Sequence, residues 1–221
     1  MSRVERDLRP ETSPQFPLSV VHTARVLDGW GFDYKKKLLE KYGRGKDPHK
    51  FYLEVVGSKG VFHLKRSSIK EDGNVTVVFG TRETLGGAWS EITALGMTNV
   101  TERLLDYWRD EQWMDVSGVD VDSLVIMQLQ GNNLGGEVLP GVQWPLLLTE
   151  IAIDLAQEAD YSELFLLPAK FTTYWVDNCP RVNQSGSVRD IQSRFGTIYN
   201  GTARKMGFRR KNKDAPFVRN L

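Results

Sequence analysis

The stretch VDSLVIMQLQGNNLGGEVLPGVQWPLLLTEIAIDLAQEADYSELFLLPA, Val121 to Ala169, decides the fold. Leu124 to Leu129 is almost wholly apolar, as a strand buried on both faces requires. A glycine-bearing loop follows, and Pro145 then suits a first helical turn, where its missing N–H costs nothing. Leu148, Ile151, Ala152, Leu155 and Ala159 recur at helical spacing. Leu164 to Leu167 reads as a second buried strand, stopped by Pro168. Two such strands joined by a helix are expected to pair in parallel through a right-handed crossover. That arrangement brings a helix start to the carboxyl end of a buried strand, a place suited to phosphate groups.

Downstream, a long helix is expected from Ser187, with Asp190 three residues on as a capping partner. Val188, Ile191, Phe195, Ile198, Thr202 and Met206 would form its inner face. Gly196 and Gly201 interrupt it, each costing about 1 kcal/mol relative to alanine, which suggests a close approach there. Gly207 should end the helix, and Phe208 can open a last strand.

Upstream, residues 19–42 contain a helix that closes at Gly43. FYLEVVG, VFHLKR and VTVVFGT are strand-like runs separated by turn residues, SKG and KEDGN, and read as an antiparallel meander. Residues 81–97 fit neither period cleanly. A helix is expected at Asn99, capped by that residue with Glu102 returning the bond, and with Val100, Leu104 and Trp108 on one apolar stripe. Residues 1–17 carry three prolines and read as a flexible arm. Residues 18–221 then form one domain.

The chain has 221 residues, 40% hydrophobic and 26% charged, enough for a substantial core. A net charge of +1 gives no global pull toward polyanions or acidic partners. The single cysteine, Cys179, forbids an intrachain disulfide and a cysteine-rich zinc site. Cys179 as a nucleophile has no histidine near it in sequence. His22, His49 and His63 are dispersed and show no metal-ligand spacing. No apolar run approaches the roughly 18 residues of a membrane span, and the amino terminus has no apolar signal core. A cytoplasmic location follows as the expectation. The sequons at Asn74, Asn99, Asn183 and Asn200 are then chance occurrences.

The order of strand, glycine turn, helix (GVQWPLLLTEIAIDLAQEA), strand (SELFLLPA) and a helix ending in KMGF resembles the carboxyl half of the GNAT superfamily of acyl-CoA-dependent N-acyltransferases. The resemblance covers about residues 121–210. It implies an α/β fold: a mixed sheet, antiparallel in its amino half, with a splayed parallel strand pair near the carboxyl end and helices on both faces. It implies acetyl-CoA or a related acyl-CoA as acyl donor and an amine as acceptor. Met127, Leu129 and Gln130 would line the pantetheine and acyl arm. Gly141, Val142, Gln143 and Trp144 would form the pyrophosphate turn. Trp144, Tyr174 and Trp175 would be walls of the acceptor groove.

Departures from the family pattern are equally specific. Gln143 stands where the turn has a small residue, and the Gln or Arg expected upstream is replaced by the run Glu137 to Pro140. QGNNLGG offers a second partial match (Gln130, Asn133, Gly135), but eight residues too early. The family's tyrosine position holds Ala203, whereas Tyr199 lies one helical turn earlier and is the candidate general acid. No glutamate lies on the Leu124–Leu129 strand to act as a base. Glu150 and Asp154 read as a solvated helix face. The segment RKMGFRRKNK carries six basic residues in ten. It supplies the alternative reading: a GNAT-like scaffold that has lost CoA binding and meets a nucleic acid or another anionic partner through a basic tail. The plainer reading of the same segment is a solvated, partly frayed terminus.

Overall fold

The computed structural model describes residues 18–57, 61–64, 67–70, 74–82, 89–131, 141–172 and 188–221. The arm assigned to residues 1–17, Tyr174, Trp175, Cys179 and Ser187 lie outside them.

The sheet has six strands: β1 (Phe51–Gly57), β4 (Val75–Arg82), β5 (Trp89–Asn99), β6 (Leu124–Gly131), β7 (Glu163–Leu166) and β8 (Phe217–Asn220), in that spatial order. Neighbours are antiparallel except β6 and β7, which pair in parallel from Leu124↔Leu164 to Ile126↔Leu166. The α/β class and the single parallel pair are therefore those read from Val121–Ala169. The meander is corrected in one respect. β1 pairs directly with β4 over its full length, from Phe51↔Thr81 to Gly57↔Val75. VFHL, β2 (Val61–Leu64), instead forms a separate hairpin with β3 (Ser67–Lys70). A four-residue run offers little ladder beside the seven-residue register that β1 and β4 achieve together.

Much of segment 81–97, which fits neither period, belongs to β5, an eleven-residue strand at the centre of the sheet. Its small residues Ala94 and Gly96 weaken any periodic signal. Its end also displaces the helix start. Asn99 closes the strand, and its buried side chain takes the Tyr161 hydroxyl and donates to the Leu18 carbonyl, 3.4 Å away. The cap is Thr101, whose Oγ1 accepts from Leu104 N–H at 3.3 Å, opening α2 (Glu102–Asp106). A π-helical turn, Tyr107–Glu111, continues it and drives Trp108 into the core.

Apolar side chains divide between the two sheet faces. On one face, α1 (Val20–Tyr42), α3 (Trp144–Glu158) and the last helix pack over Val77, Phe79, Leu95, Leu124, Ile126 and Leu164. On the other, α2 and its π turn bring Trp108 against Val125, Phe165 and Phe171. α1 is capped by Ser19 and closed at Gly43 as expected, and bends at Gly31, whose φ of 59° no ordinary helical residue adopts. The last helix runs as α4 (Val188–Phe195), a π turn (Gly196–Gly201) and α5 (Thr202–Lys205). The two glycines bound that π turn. Neither is closely approached: a Cβ on either would meet nothing within 4 Å.

The carboxyl terminus is not frayed. Arg209 and Val218 exchange backbone bonds at 2.8 and 2.6 Å, Ala215 and Phe217 are buried, and β8 completes the sheet against β7. The run contains apolar residues that the count of its charges conceals.

Candidate functional site

The one parallel pair among the described strands opens into a fork. Leu167 N–H still donates to the Ile126 carbonyl at 3.1 Å, but Pro168 then turns the chain into a 3-10 turn, Ala169–Phe171. β6 continues past Ile126 to Gly131 without β7 beside it. Its other edge keeps β5 and carries a bulge. Gly96 faces Gln128 while Met97 faces Ile126, so Met127 is the extra residue. The bulge resets the alternation: Leu124 and Ile126 face the α3 side, and three residues on Leu129 does so again. Gln128 and Gln130 are left on the opposite face, with a hydrogen bond from Gln128 Nε2 to Gln130 Oε1. Met127 packs against the Trp108 cluster on that same face.

The π turn of the last helix fills the fork. Tyr199, 1% exposed, accepts a hydrogen bond through its hydroxyl from Leu129 N–H at 2.9 Å. The next residue, Asn200, accepts from Ala169 N–H through Oδ1 at 3.2 Å. One dipeptide thus satisfies a backbone donor on each diverging strand. The Tyr199 ring stacks on Phe195 with centroids 5.9 Å apart. π turns widen the helix locally and recur at functional sites. Here the widening lets two consecutive side chains reach the fork. Tyr199, within the π turn, lies on the inner face of the helix with Ala203.

At the other end of the crossover loop, Gly141 adopts φ 77°, which favours glycine. Val142 and Trp144 turn inward and are buried in the core over α3. An indole on the first turn of an amphipathic helix gains more from burial than from exposure, and Trp144 is 9% exposed. Gln143 is exposed, but its N–H donates to the Tyr42 carbonyl at 2.8 Å, joining α3 to the end of α1. Leu146 and Leu147 N–H both return to the Gln143 carbonyl at 3.0 and 3.1 Å. The N–H groups of Gly141, Val142 and Trp144 have no acceptor among the described residues. Beside the turn stands a cation that sequence reading did not place there. Lys46 Nζ lies 3.9 Å, and its Cε 3.5 Å, from where a Cβ of Gly141 would be. Lys46 belongs to the GRGK loop, and the Tyr42–Gln143 bond brings that loop to the turn. Nothing local in the sequence signals the meeting.

Glu150 and Asp154 are not a solvated face. Asp154 accepts from the Tyr34 hydroxyl at 2.6 Å, and Glu150 accepts from Tyr42 at 3.0 Å and from Lys41 at 2.5 Å. They face α1, and the carboxylates lock the two helices together. Burial raises the Asp154 carboxyl above its ordinary range, and burial followed by the Asp154 bond raises the Tyr34 phenol. The Glu150 bond raises the Lys41 ammonium. A groove of about 860 Å³ runs beside this cluster, lined by Lys41, Tyr42, Glu150, Lys205, Met206 and Arg219 among others. None of Met127, Leu129, Gln130, Gly141 to Trp144 or Tyr199 lines it.

Among the described residues no group of three His, Cys, Asp or Glu side chains is placed to hold a metal, and no helix is long and apolar enough to cross a membrane. Comparison of the chain with protein-family models, with curated proteins and with solved structures returns no match.

Proposed function

We propose that the chain is an acyl-CoA-dependent N-acyltransferase of GNAT type, using acetyl-CoA or a related thioester and an amine acceptor. The observation that carries the reading is the fork: a lone parallel pair that opens after Ile126, with the Tyr199 hydroxyl on Leu129 N–H. Beyond Ile126 the β6 edge has no β7 beside it, and the Tyr199 hydroxyl covers it at Leu129. In this reading a pantetheine arm pairs with the backbone from Met127 to Gln130, and the thioester oxygen takes over the Leu129 N–H from the Tyr199 hydroxyl in a dry site, where such a donor is worth more than in water. Tyr199 is an O–H donor at the same atom. In the Gly141–Trp144 turn the amides of Gly141, Val142 and Trp144 have no acceptor among the described residues, and Lys46 adds a cation where the family's turn residue is missing.

In this reading the amine nitrogen lone pair forms the C–N bond to the thioester carbonyl, the C–S bond breaks, Tyr199 gives its proton to the departing sulfur, and the proton lost by the acylated nitrogen returns to the Tyr199 oxygen. Much of the rate would come from positioning, with a smaller demand on side-chain bases. Tyr199 as general acid is worth about 10²- to 10⁴-fold in rate.

A thermal-shift measurement with acetyl-CoA tests the proposal. Ligand at 100 times its dissociation constant stabilises by about 2.7 kcal/mol, which raises Tm by about 5 to 11 °C for a domain of this size. No shift at millimolar acetyl-CoA sinks the enzyme reading. That outcome favours the scaffold without CoA binding, for which the burial of Val142 and Trp144 and the commitment of Gln143 N–H to Tyr42 already speak.

A further inference from the structure

Trp113 occupies a position where stability asks for a different residue. It follows the π turn of α2, its side chain is 84% exposed, and its φ is 55°. The next residue, Met114, returns to the core and donates its N–H to the Trp108 carbonyl at 2.9 Å. Trp113 is thus the left-handed residue that closes a helix, where glycine or asparagine is preferred. A tryptophan there gains almost nothing from burial and bears the steric penalty of a left-handed backbone. Neither packing nor backbone geometry accounts for the indole, so its role lies outward.

Beside it sits the basic segment that ends the chain. Asp115 N–H donates to the Asp214 carbonyl at 2.9 Å, Asn212 Nδ2 donates to Asp115 Oδ2 at 2.6 Å, and Lys211 Nζ donates to Ser117 Oγ at 3.3 Å. Loop 112–117 and loop 209–214 are therefore one surface. It carries Lys170, Arg209, Arg210, Lys211 and Lys213 against Asp115 and Asp214, five cations to two carboxylates. Both carboxylates are committed: Asp115 to Ser117 and Asn212, Asp214 to Lys170. Arg209, Lys211 and Lys213 are exposed. Asp110 and Glu111, just before Trp113 in the chain, are also exposed, so the cations that could meet phosphates are those of loop 209–214. Tyr107, 45% exposed, is joined to this stretch by the bond from Gln112 Nε2 to its hydroxyl at 3.1 Å.

We infer that this surface binds single-stranded nucleic acid, with a base stacked on the Trp113 indole and the adjoining phosphates on Lys211, Lys213 and Arg209. An exposed ring beside a cation-lined track is what sequence-tolerant strand binding uses. A lipid surface fits less well. The indole is flanked by Gln112 and two carboxylates rather than by further apolar residues that a bilayer would take up. The inference is independent of acyl transfer. It rests on a different face and different residues.

The test uses the full chain with fluorescein-labelled oligo(dT) and oligo(U) twelve-mers, heparin as a polyanion without bases, and phosphatidylserine vesicles. Both oligonucleotides are expected to bind at low salt, and tighter binding of oligo(U) assigns the surface to RNA. Trp113→Ala should weaken oligonucleotide binding about 5- to 150-fold and leave heparin retention unchanged. Trp113→Phe should recover part of the loss. Lys211→Glu with Lys213→Glu should weaken both ligands and lower the slope of log K against log salt by about 1.4. The Trp113 side chain is exposed, so unchanged thermal melts will show that its variants remain folded. The inference is overturned by Trp113→Ala binding oligonucleotide as tightly as the parent, by no binding of either oligonucleotide at low salt, or by Trp113-dependent binding to vesicles alone.

Discussion

Replacing Tyr199 by phenylalanine removes one oxygen from the fork and little else. The ring keeps its stack on Phe195 and its place among Ala203, Ile198 and Leu129, so no cavity opens. What changes is Leu129 N–H, which donates to the hydroxyl at 2.9 Å in a site with almost no solvent. β7 has already left β6 at that point, so the amide has no strand acceptor to fall back on. An orphaned buried donor costs about 1 to 3 kcal/mol, against about 1 kcal/mol for an ordinary hydrogen bond lost to water. For a domain of this size each kcal/mol is worth about 2 to 4 °C in Tm, so Tyr199→Phe should melt about 2 to 12 °C lower. Urea unfolding should show a lower midpoint at an unchanged slope. Amide exchange should show faster exchange at Leu129, since local protection reports the bond itself. A variant within 0.5 kcal/mol of the parent, with Leu129 protection intact, would refute the bond and with it the placement of Tyr199 in the fork. If the proposed activity is present, the same variant should also lose about 10²- to 10⁴-fold in kcat.

Other perturbations separate the remaining parts. Gly141→Ala should cost about 1 to 2 kcal/mol from the left-handed backbone alone, because the added Cβ makes only ordinary contact with Lys46; equilibrium unfolding measures it, and a neutral result would contradict the turn. Lys46→Ala should leave the melt nearly unchanged yet reduce the acetyl-CoA thermal shift, and an unaltered shift removes Lys46 from the proposed site. Asp115, held by Ser117 and then Asn212, titrates at about 2. Its folded value is depressed, so its contribution is present above 3.8, the ordinary value, and is lost as pH falls through about 2. Carboxyl NMR should show that midpoint, and Ser117→Ala should move it upward. Asp154 has the opposite sign. Its carboxyl is raised by burial, so the folded state binds more protons and this contribution declines as pH rises above 3.8 through the raised folded value. Asp154→Asn should remove that decline from the pH profile of stability, and a profile unchanged by the substitution would contradict the burial.

Legibility in the sequence followed the length of the signal. β6, α3 and β7 are readable because each is a continuous apolar or helical pattern with clear bounds: the glycine-bearing loop after β6, Pro145 at the start of α3 and Pro168 after β7. β5 is not, because Ala94 and Gly96 blur its alternation and its burial depends on β4 and β6 on either side. The Asn99 cap failed for a related reason: the residue has capping chemistry, but Tyr161 and Leu18, distant in sequence, claim its side chain. Glu150 and Asp154 looked solvated because nothing on α3 itself shows that Tyr34, Lys41 and Tyr42 of α1 will meet them.

The amino-acid sequence alone determined the α/β class, the parallel pairing of β6 with β7 and the glycine turn that starts α3. These depend on periodicity and on backbone rules that act within a few residues. Tertiary structure decided the rest. The bulge at Met127 sets which strand residues face the fork. The π turn carries Tyr199 and Asn200 into it. Lys46 meets Gly141, and loop 209–214 meets Asp115 and Ser117, across long stretches of chain. Each depends on which distant groups satisfy one another's hydrogen bonds and charges, and that choice is made only when the elements pack.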